Sequence, residues 1–189
     1  LSVAPGAGND SLIDTPTNYE AASGNGGNYA TLNPLNKHTS SDTFSNGNLD
    51  FTTSSGGGLC ESTIAMSSGK YYFEAVFSGG QGTAQLAGIR KPGARNYNDS
   101  YIYVGTGNKY TDGGSGTSYG ATLSNGDVIG TAFDGDNGTL TFYKNGVSQG
   151  TAFTGISGTY SFFVGSFGSS PTFVTNFGQR PFSISSVPT

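Results

Sequence analysis

Residues 124–150 read Ser-Asn-Gly-Asp-Val-Ile-Gly-Thr-Ala-Phe-Asp-Gly-Asp-Asn-Gly-Thr-Leu-Thr-Phe-Tyr-Lys-Asn-Gly-Val-Ser-Gln-Gly, with Asn-Gly pairs at Asn125-Gly126, Asn137-Gly138 and Asn145-Gly146. Asn and Gly both tolerate the positive φ that tight hairpin connections need, so each pair is a turn signal. Between the pairs, residues 128–133 and 140–143 are too short for helices and the right length for strands. In the second run Leu140 and Phe142 fall on one face, with Thr139, Thr141 and Tyr143 on the other. That period of two belongs to an antiparallel strand with one face packed and one wetted. The stretch is a β-meander.

Outward from the meander, strand-like runs recur at Phe44 and at residues 49–53, 59–66, 70–77, 84–90, 101–105, 127–133, 139–144, 160–165 and 172–177. About ten strands at this spacing predict an all-β fold of two packed antiparallel sheets, a β-sandwich. No segment carries a helical period, so helix content should be very low. The composition agrees, with 32 Gly, 11% charged residues and 13% aromatics, all Tyr or Phe. This is the profile of a turn-rich β protein. The chain of 189 residues reads as one domain, since a domain usually takes ~100 to 200 residues. The expected division is a Gly/Asn/Ser/Thr-rich N-terminal arm over 1–42, the sandwich over 43–182 and a C-terminal tail over 183–189. The arm carries Leu12, Ile13, Tyr19, Tyr29, Leu32 and Leu35, more apolar anchors than a free linker needs. It should lie across the sandwich or against a neighbouring chain.

Charge and hydropathy exclude several classes. No window approaches the ~20 consecutive apolar residues of a membrane span, and no charged-then-apolar signal peptide leads the chain, so no membrane insertion is expected. The net charge is −4, and the eight Lys and Arg are scattered. No basic stripe exists to neutralise phosphates, so nucleic acid is not an expected partner. Cys60 is the only cysteine. It reads as a small buried strand residue, and stability must come from burial and sheet hydrogen bonds.

Catalytic chemistry finds few candidates. His38 is the only histidine and sits in a polar run of the arm, poor ground for a nucleophilic triad. The three glutamates are Glu20, Glu61 and Glu74, and only Glu61 with Glu74 could form the facing carboxylates of a glycan hydrolase or lyase. Asp134-Gly135-Asp136-Asn137-Gly138 has the alternating oxygen donors of a calcium loop, but the later acidic ligands are missing and a hairpin turn explains it. The expectation is a non-enzymatic protein without cofactor or metal.

Binding is the better reading. Residues 91–100 and 105–118 are long polar loops for a compact sandwich, and such loops are more often functional than short connections. They contribute Arg95, Tyr97, Asn98, Asp99, Tyr101, Lys109, Tyr110 and Asp112. Flat tyrosines among groups that orient hydrogen bonds suit sugar hydroxyls or a peptide backbone. The competing reading is a pair of merely solvated loops.

The meander motifs Gly-Asp-Val-Ile-Gly-Thr-Ala-Phe-Asp (126–134), Gly-Thr-Leu-Thr-Phe-Tyr-Lys-Asn-Gly (138–146) and Gly-Thr-Ala-Phe (150–153) resemble the C-terminal signature of SPRY domains. Ser68-Gly69-Lys70-Tyr71-Tyr72-Phe73-Glu74, Leu86-Ala87-Gly88-Ile89 and Val174-Thr175-Asn176-Phe177-Gly178 resemble the family's opening, second and last strands, in the right order over residues 67–182. Phe73 departs from the pattern, standing where the family usually has Trp. The resemblance implies a concanavalin A-like, jelly-roll sandwich that binds partners through loops joining its sheets, without catalysis. Residues 8–19, 28–35 and 49–51 also resemble the leader before SPRY-like domains in bacteriophage or prophage tail-fibre and other virion proteins. That second resemblance, with the Leu1 start, implies a segment of a longer virion protein at the virion surface or outside the cell. The implied function is adhesion to a host-surface glycan or protein through the two loops. The alternative is a structural protein that decorates a capsid or builds a fibre by contacting other virion subunits, with self-association into a homo-oligomer left open.

Overall fold

The computed structural model describes residues 29–39, 41–54, 57–80, 84–94, 97, 99–111 and 114–184. The strands are β1 (Thr43–Ser45), β2 (Asp50–Thr52), β3 (Gly58–Met66), β4 (Lys70–Ser78), β5 (Gln85–Arg90), β6 (Ser100–Val104) and β7 (Asn108–Thr111). They continue with β8 (Thr117–Ser118), β9 (Val128–Asp134), β10 (Thr139–Lys144), β11 (Val147–Phe153), β12 (Tyr160–Ser166) and β13 (Thr172–Asn176). One turn of 3-10 helix, Pro34–Asn36, precedes them, started by Asn33, whose side chain accepts from the Leu35 N–H.

A seven-stranded sheet in the order β1-β2-β13-β4-β9-β10-β11 faces a six-stranded sheet in the order β3-β12-β5-β6-β7-β8. All pairings are antiparallel. The expected all-β sandwich is the observed one. The predicted meander is β9-β10-β11, and its Asn145-Gly146 turn has φ of 50° and 79°. Positive φ at both central residues is what a two-residue hairpin demands. At the other two pairs only the glycine has positive φ. Asn125-Gly126 leads into β9, where the Gly126 N–H donates to Phe77 O.

Between the sheets lies an aromatic core. Phe51, Phe73, Phe77, Phe133, Phe142 and Phe173 come from one sheet and Ile89, Tyr103, Phe162 and Val164 from the other, all buried. Phe73 stacks across the interface on Phe162 with centroids 4.4 Å apart, and on Phe177 at 5.4 Å. A phenyl ring therefore fills the position expected for Trp without leaving an indole N–H that needs a partner. Cys60 is fully buried among these residues.

Three expectations need correction. Residues 105–118 are not one loop: β7 and β8 lie within them and extend the six-stranded sheet. Polar strands at a sheet edge carry too few apolar residues to show alternation. Strand β11 has the exposed pattern of an edge strand and was likewise not expected. In the arm, Leu32 is a true anchor with no exposed surface, whereas Leu35 is 96% exposed on the 3-10 turn. Backbone bonds from Asn33 N to Glu61 O and Thr63 N to Thr31 O fix this segment against β3, and one from Leu32 N to Asn48 O ties it to the turn between β1 and β2. Leu12, Ile13 and Tyr19 lie outside the described residues.

Candidate functional site

The register of β6 and β7 separates the residues that the sequence places together. Tyr101 pairs with Thr111, Ile102 with Tyr110 and Tyr103 with Lys109. Successive side chains on a strand point to opposite faces. Tyr101 and Lys109 therefore turn toward the other sheet, where Tyr101 packs on Phe153 at 5.0 Å, with Tyr160 of its own sheet beside it at 5.7 Å. Lys109 Nζ donates to Ala152 O and lies over the rings of Tyr119 and Phe153 at 5.5 and 5.1 Å. Both serve the fold. Tyr110 and Tyr97 instead pack on the opposite, outer face of the six-stranded sheet. Asp99, with a φ of 58°, is exposed in the loop and pairs with Lys91 at 2.6 Å. Arg95, Asn98 and Asp112 lie outside the described residues.

That outer face has its own apolar cluster of Leu59, Leu86, Ile102, Val104 and Phe163, nearly free of exposed surface. Glycine makes room for it. A Cβ at Gly88 would sit 2.0 Å from Tyr101 O, and one at Gly165 would sit 2.4 Å from the Leu59 side chain. From the connection after β5, Tyr97 packs on this cluster, while Lys91, Pro92 and Gly93 are exposed. Tyr97 reaches Phe167 beyond the far end of β12, with ring centroids 4.4 Å apart. Burial pushes the Tyr97 phenol up to about 12. Phe167 itself is 41% exposed, in a Ser-Phe-Gly turn that the sequence reading did not single out.

Beside this cluster the buried Glu61 of β3 gathers three segments. Its carboxylate accepts from Asn36 Nδ2 on the 3-10 turn and from the Gly93 N–H at 3.1 and 3.2 Å. Its Oε2 lies 3.4 Å from Arg90 Nε. Arg90, 3% exposed, also has its guanidinium 5.8 Å from the centre of the Phe163 ring. Between arm and loop these residues leave a pocket of about 210 Å³, lined by Leu35, Asn36, Lys37, His38, Leu59, Arg90 and Ala94. His38 thus lies at a pocket wall. Arg90 was missed because a cation that ends an apolar strand gives no pattern of its own.

The carboxylates cannot work as a pair. Glu61 faces out from the six-stranded sheet, and Glu74, on β4, faces out from the seven-stranded sheet, since their neighbours Cys60 and Phe73 point into the core. Glu74 is occupied by the Ser183 and Ile184 N–H groups, the Ser183 hydroxyl and the Tyr72 hydroxyl. It fastens the chain after β13. In the Asp134 to Gly138 turn, Asp134 accepts from the N–H groups of Asp136 and Asn137, and Asp136 accepts from the Gly69 N–H. These carboxylates shape a hairpin, as the turn reading predicts.

The SPRY domain family model matches residues 70–180, from the start of β4 to just past β13. The chain belongs to the SPRY domain family. The solved SPRY domain of human HERC1 superposes with a TM-score of 0.69 at 19% identity, over 79% of this chain and 99% of that one. The TRIM65 PSpry domain gives 0.62 at 15% identity, over 78% and 92%. Among curated relatives, the dual specificity protein kinase splA of Dictyostelium discoideum is 38% identical over half of this chain and 4% of its own length. The Ran-binding proteins 9/10 homolog of Drosophila melanogaster is 34% identical and human Ran-binding protein 9 is 35% identical, each over 63% of this chain. The chain spans only 13% and 17% of those two proteins.

These eukaryotic relatives overturn the expected phage or prophage virion appendage. Host attachment as a tail fibre, and capsid decoration as its alternative, both rested on the leader segments. The SPRY match begins after all of those segments, at Lys70, so a resemblance in Asn-, Thr- and Gly-rich stretches carried the wrong context. SPRY domains mediate protein–protein interaction, and neither a host-surface glycan nor virion subunits find support as partners.

Proposed function

We propose that this SPRY chain is a non-enzymatic interaction module that holds a segment of a partner protein on the outer face of its six-stranded sheet. Phe167 carries this reading. It is a 41% exposed aromatic stacked on Tyr97, on the same face as the pocket between residues 34–38 and the loop after β5. A large ring held in place by another ring supplies contact area at little entropic cost, as interface anchors do. Tyr97 and Tyr110 border the surface, and Leu35 adds an exposed apolar side chain at the pocket.

Selection of a yeast-displayed random peptide library on this chain, followed by calorimetry of enriched peptides, tests the proposal. Phe167→Ala should weaken the selected peptides about tenfold or more while the melting temperature stays near wild type. Peptides that bind equally well to Phe167→Ala and Leu35→Ser would place recognition elsewhere and reject this face.

A further inference from the structure

The side chain of Arg90 is buried and poorly satisfied. It offers five N–H donors in a planar fork, yet among the described residues it donates no hydrogen bond. Its Nε lies 3.4 Å from Glu61 Oε2 without hydrogen-bond alignment and is an unsatisfied buried atom. Glu61 cannot serve it better, because Asn36 and Gly93 already occupy that carboxylate. Arg90 also lines the pocket between arm and loop. Burying a charged group without acceptors is costly, and an arriving acceptor recovers that cost.

We infer that this pocket is a carboxylate subsite in which Arg90 grips an acidic side chain or the C-terminal carboxylate of the partner segment. The inference rests on the proposed binding face and names its ligand chemistry. A planar guanidinium matches a carboxylate in a two-point grip. Among the described residues the pocket lining includes Arg90 and Lys37 and no acidic residue, and Asn36 and His38 add polar atoms. Lys37 donates to Asp42 O, which places its positive charge at the wall. Two carboxylates stand behind the cations: Glu61 beside Arg90, and Asp42, which accepts from the Thr39 and Ser54 N–H groups. Their negative charge favours a monoanion over a phosphate dianion. The volume of about 210 Å³ suits a side-chain terminus.

The test is a two-dimensional NMR titration of the full chain with sodium acetate, following the Arg90 Nε–H and Gly93 amide signals, with acetamide as the neutral control and inorganic phosphate as a second arm. Saturable shifts at both signals with acetate, in the millimolar range expected of a four-atom ligand, and none with acetamide, are the expected result. Lys37→Gln, at an exposed position, should weaken acetate about two- to fivefold, and Arg90→Lys should abolish the shifts at Gly93. If Arg90→Lys does not fold, the wild-type and Lys37→Gln titrations decide. No saturable shift at Arg90 up to about 100 mM acetate, or tighter binding of phosphate than of acetate, overturns the carboxylate assignment. Acetate binding without any selected peptide would retain the subsite and remove the peptide-binding reading. Selected peptides whose Asp→Asn and Glu→Gln variants, in C-terminally amidated form, bind undiminished would do the reverse.

Discussion

Lys109 of β7 donates its ammonium to the main-chain carbonyl of Ala152 in β11. This joins β7, near the edge of one sheet, to the edge strand of the other. The charge sits over Tyr119 and Phe153, so the aliphatic stem and the aromatic faces seal this side of the sandwich together. Lys109→Met keeps the stem and removes the charge. It should cost about 2–4 kcal/mol, the sum of one charged hydrogen bond and a cation–π contact. Urea unfolding that gives the wild-type midpoint would show that the contact contributes nothing.

Glu61 should be the most costly single carboxylate to lose. Glu61→Ala frees Asn36 and Gly93 and leaves Arg90 buried with no counter-charge, a change worth about 3–5 kcal/mol. The double variant Glu61→Leu with Arg90→Leu should recover part of that loss, because a buried apolar pair needs no compensation. Chemical denaturation of the three proteins measures both effects.

Tyr97 and Phe167 touch, yet they should answer differently to alanine. Tyr97 packs on the outer cluster of Leu59, Leu86, Ile102, Val104 and Phe163, so Tyr97→Ala should cost about 2–4 kcal/mol through exposure and cavity terms. Phe167 is 41% exposed, and Phe167→Ala should cost about 1 kcal/mol or less. Equal melting temperatures for the two variants would contradict the packing role of Tyr97.

Gly88→Ala should fail for a steric reason. The added Cβ meets Tyr101 O at 2.0 Å, a backbone atom in the paired strand that cannot swing away. The expected loss is about 3 kcal/mol or more, read as aggregation on expression or a sharply lower midpoint. Gly93→Ala is a control of different origin: its Cβ meets nothing within 4 Å, but its φ is 77°, so it should cost only about 1 kcal/mol of backbone strain.

Alkaline pH should weaken this protein. Burial raises the Cys60 thiol from 9.0 to about 12, and raises Tyr97, Tyr103 and Tyr119 from 10.0 to about 12. All four are neutral when protonated, and the folded state holds their protons more tightly than the unfolded chain. Their contribution is therefore complete below pH 9 and falls as pH rises from 9 toward 12. Denaturation midpoints measured from pH 8 to 11 should decline across that window. Cys60 should resist thiol reagents at pH 8 until the protein is unfolded, and rapid labelling of the native chain would contradict its burial.

The sequence by itself determined the sandwich, because its signals are local. Leu140 and Phe142 alternate with Thr139, Thr141 and Tyr143 whatever they pack against, and Asn145-Gly146 makes the same turn in any hairpin. The SPRY motifs followed each other in order for the same reason. Polar edges carried no such signal: β7 and β8 were read as loop because Asn108, Lys109 and Thr111 look alike in a strand and in a turn. Only the tertiary structure decided the site. Register sends Lys109 inward and Tyr110 outward, Tyr97 from the connection after β5 packs on the outer face of the sheet, and Glu61 draws Asn36, Gly93 and Arg90 together from three separate segments. Such contacts join residues tens of positions apart, and no local pattern in a chain records which distant partner a buried charge will meet.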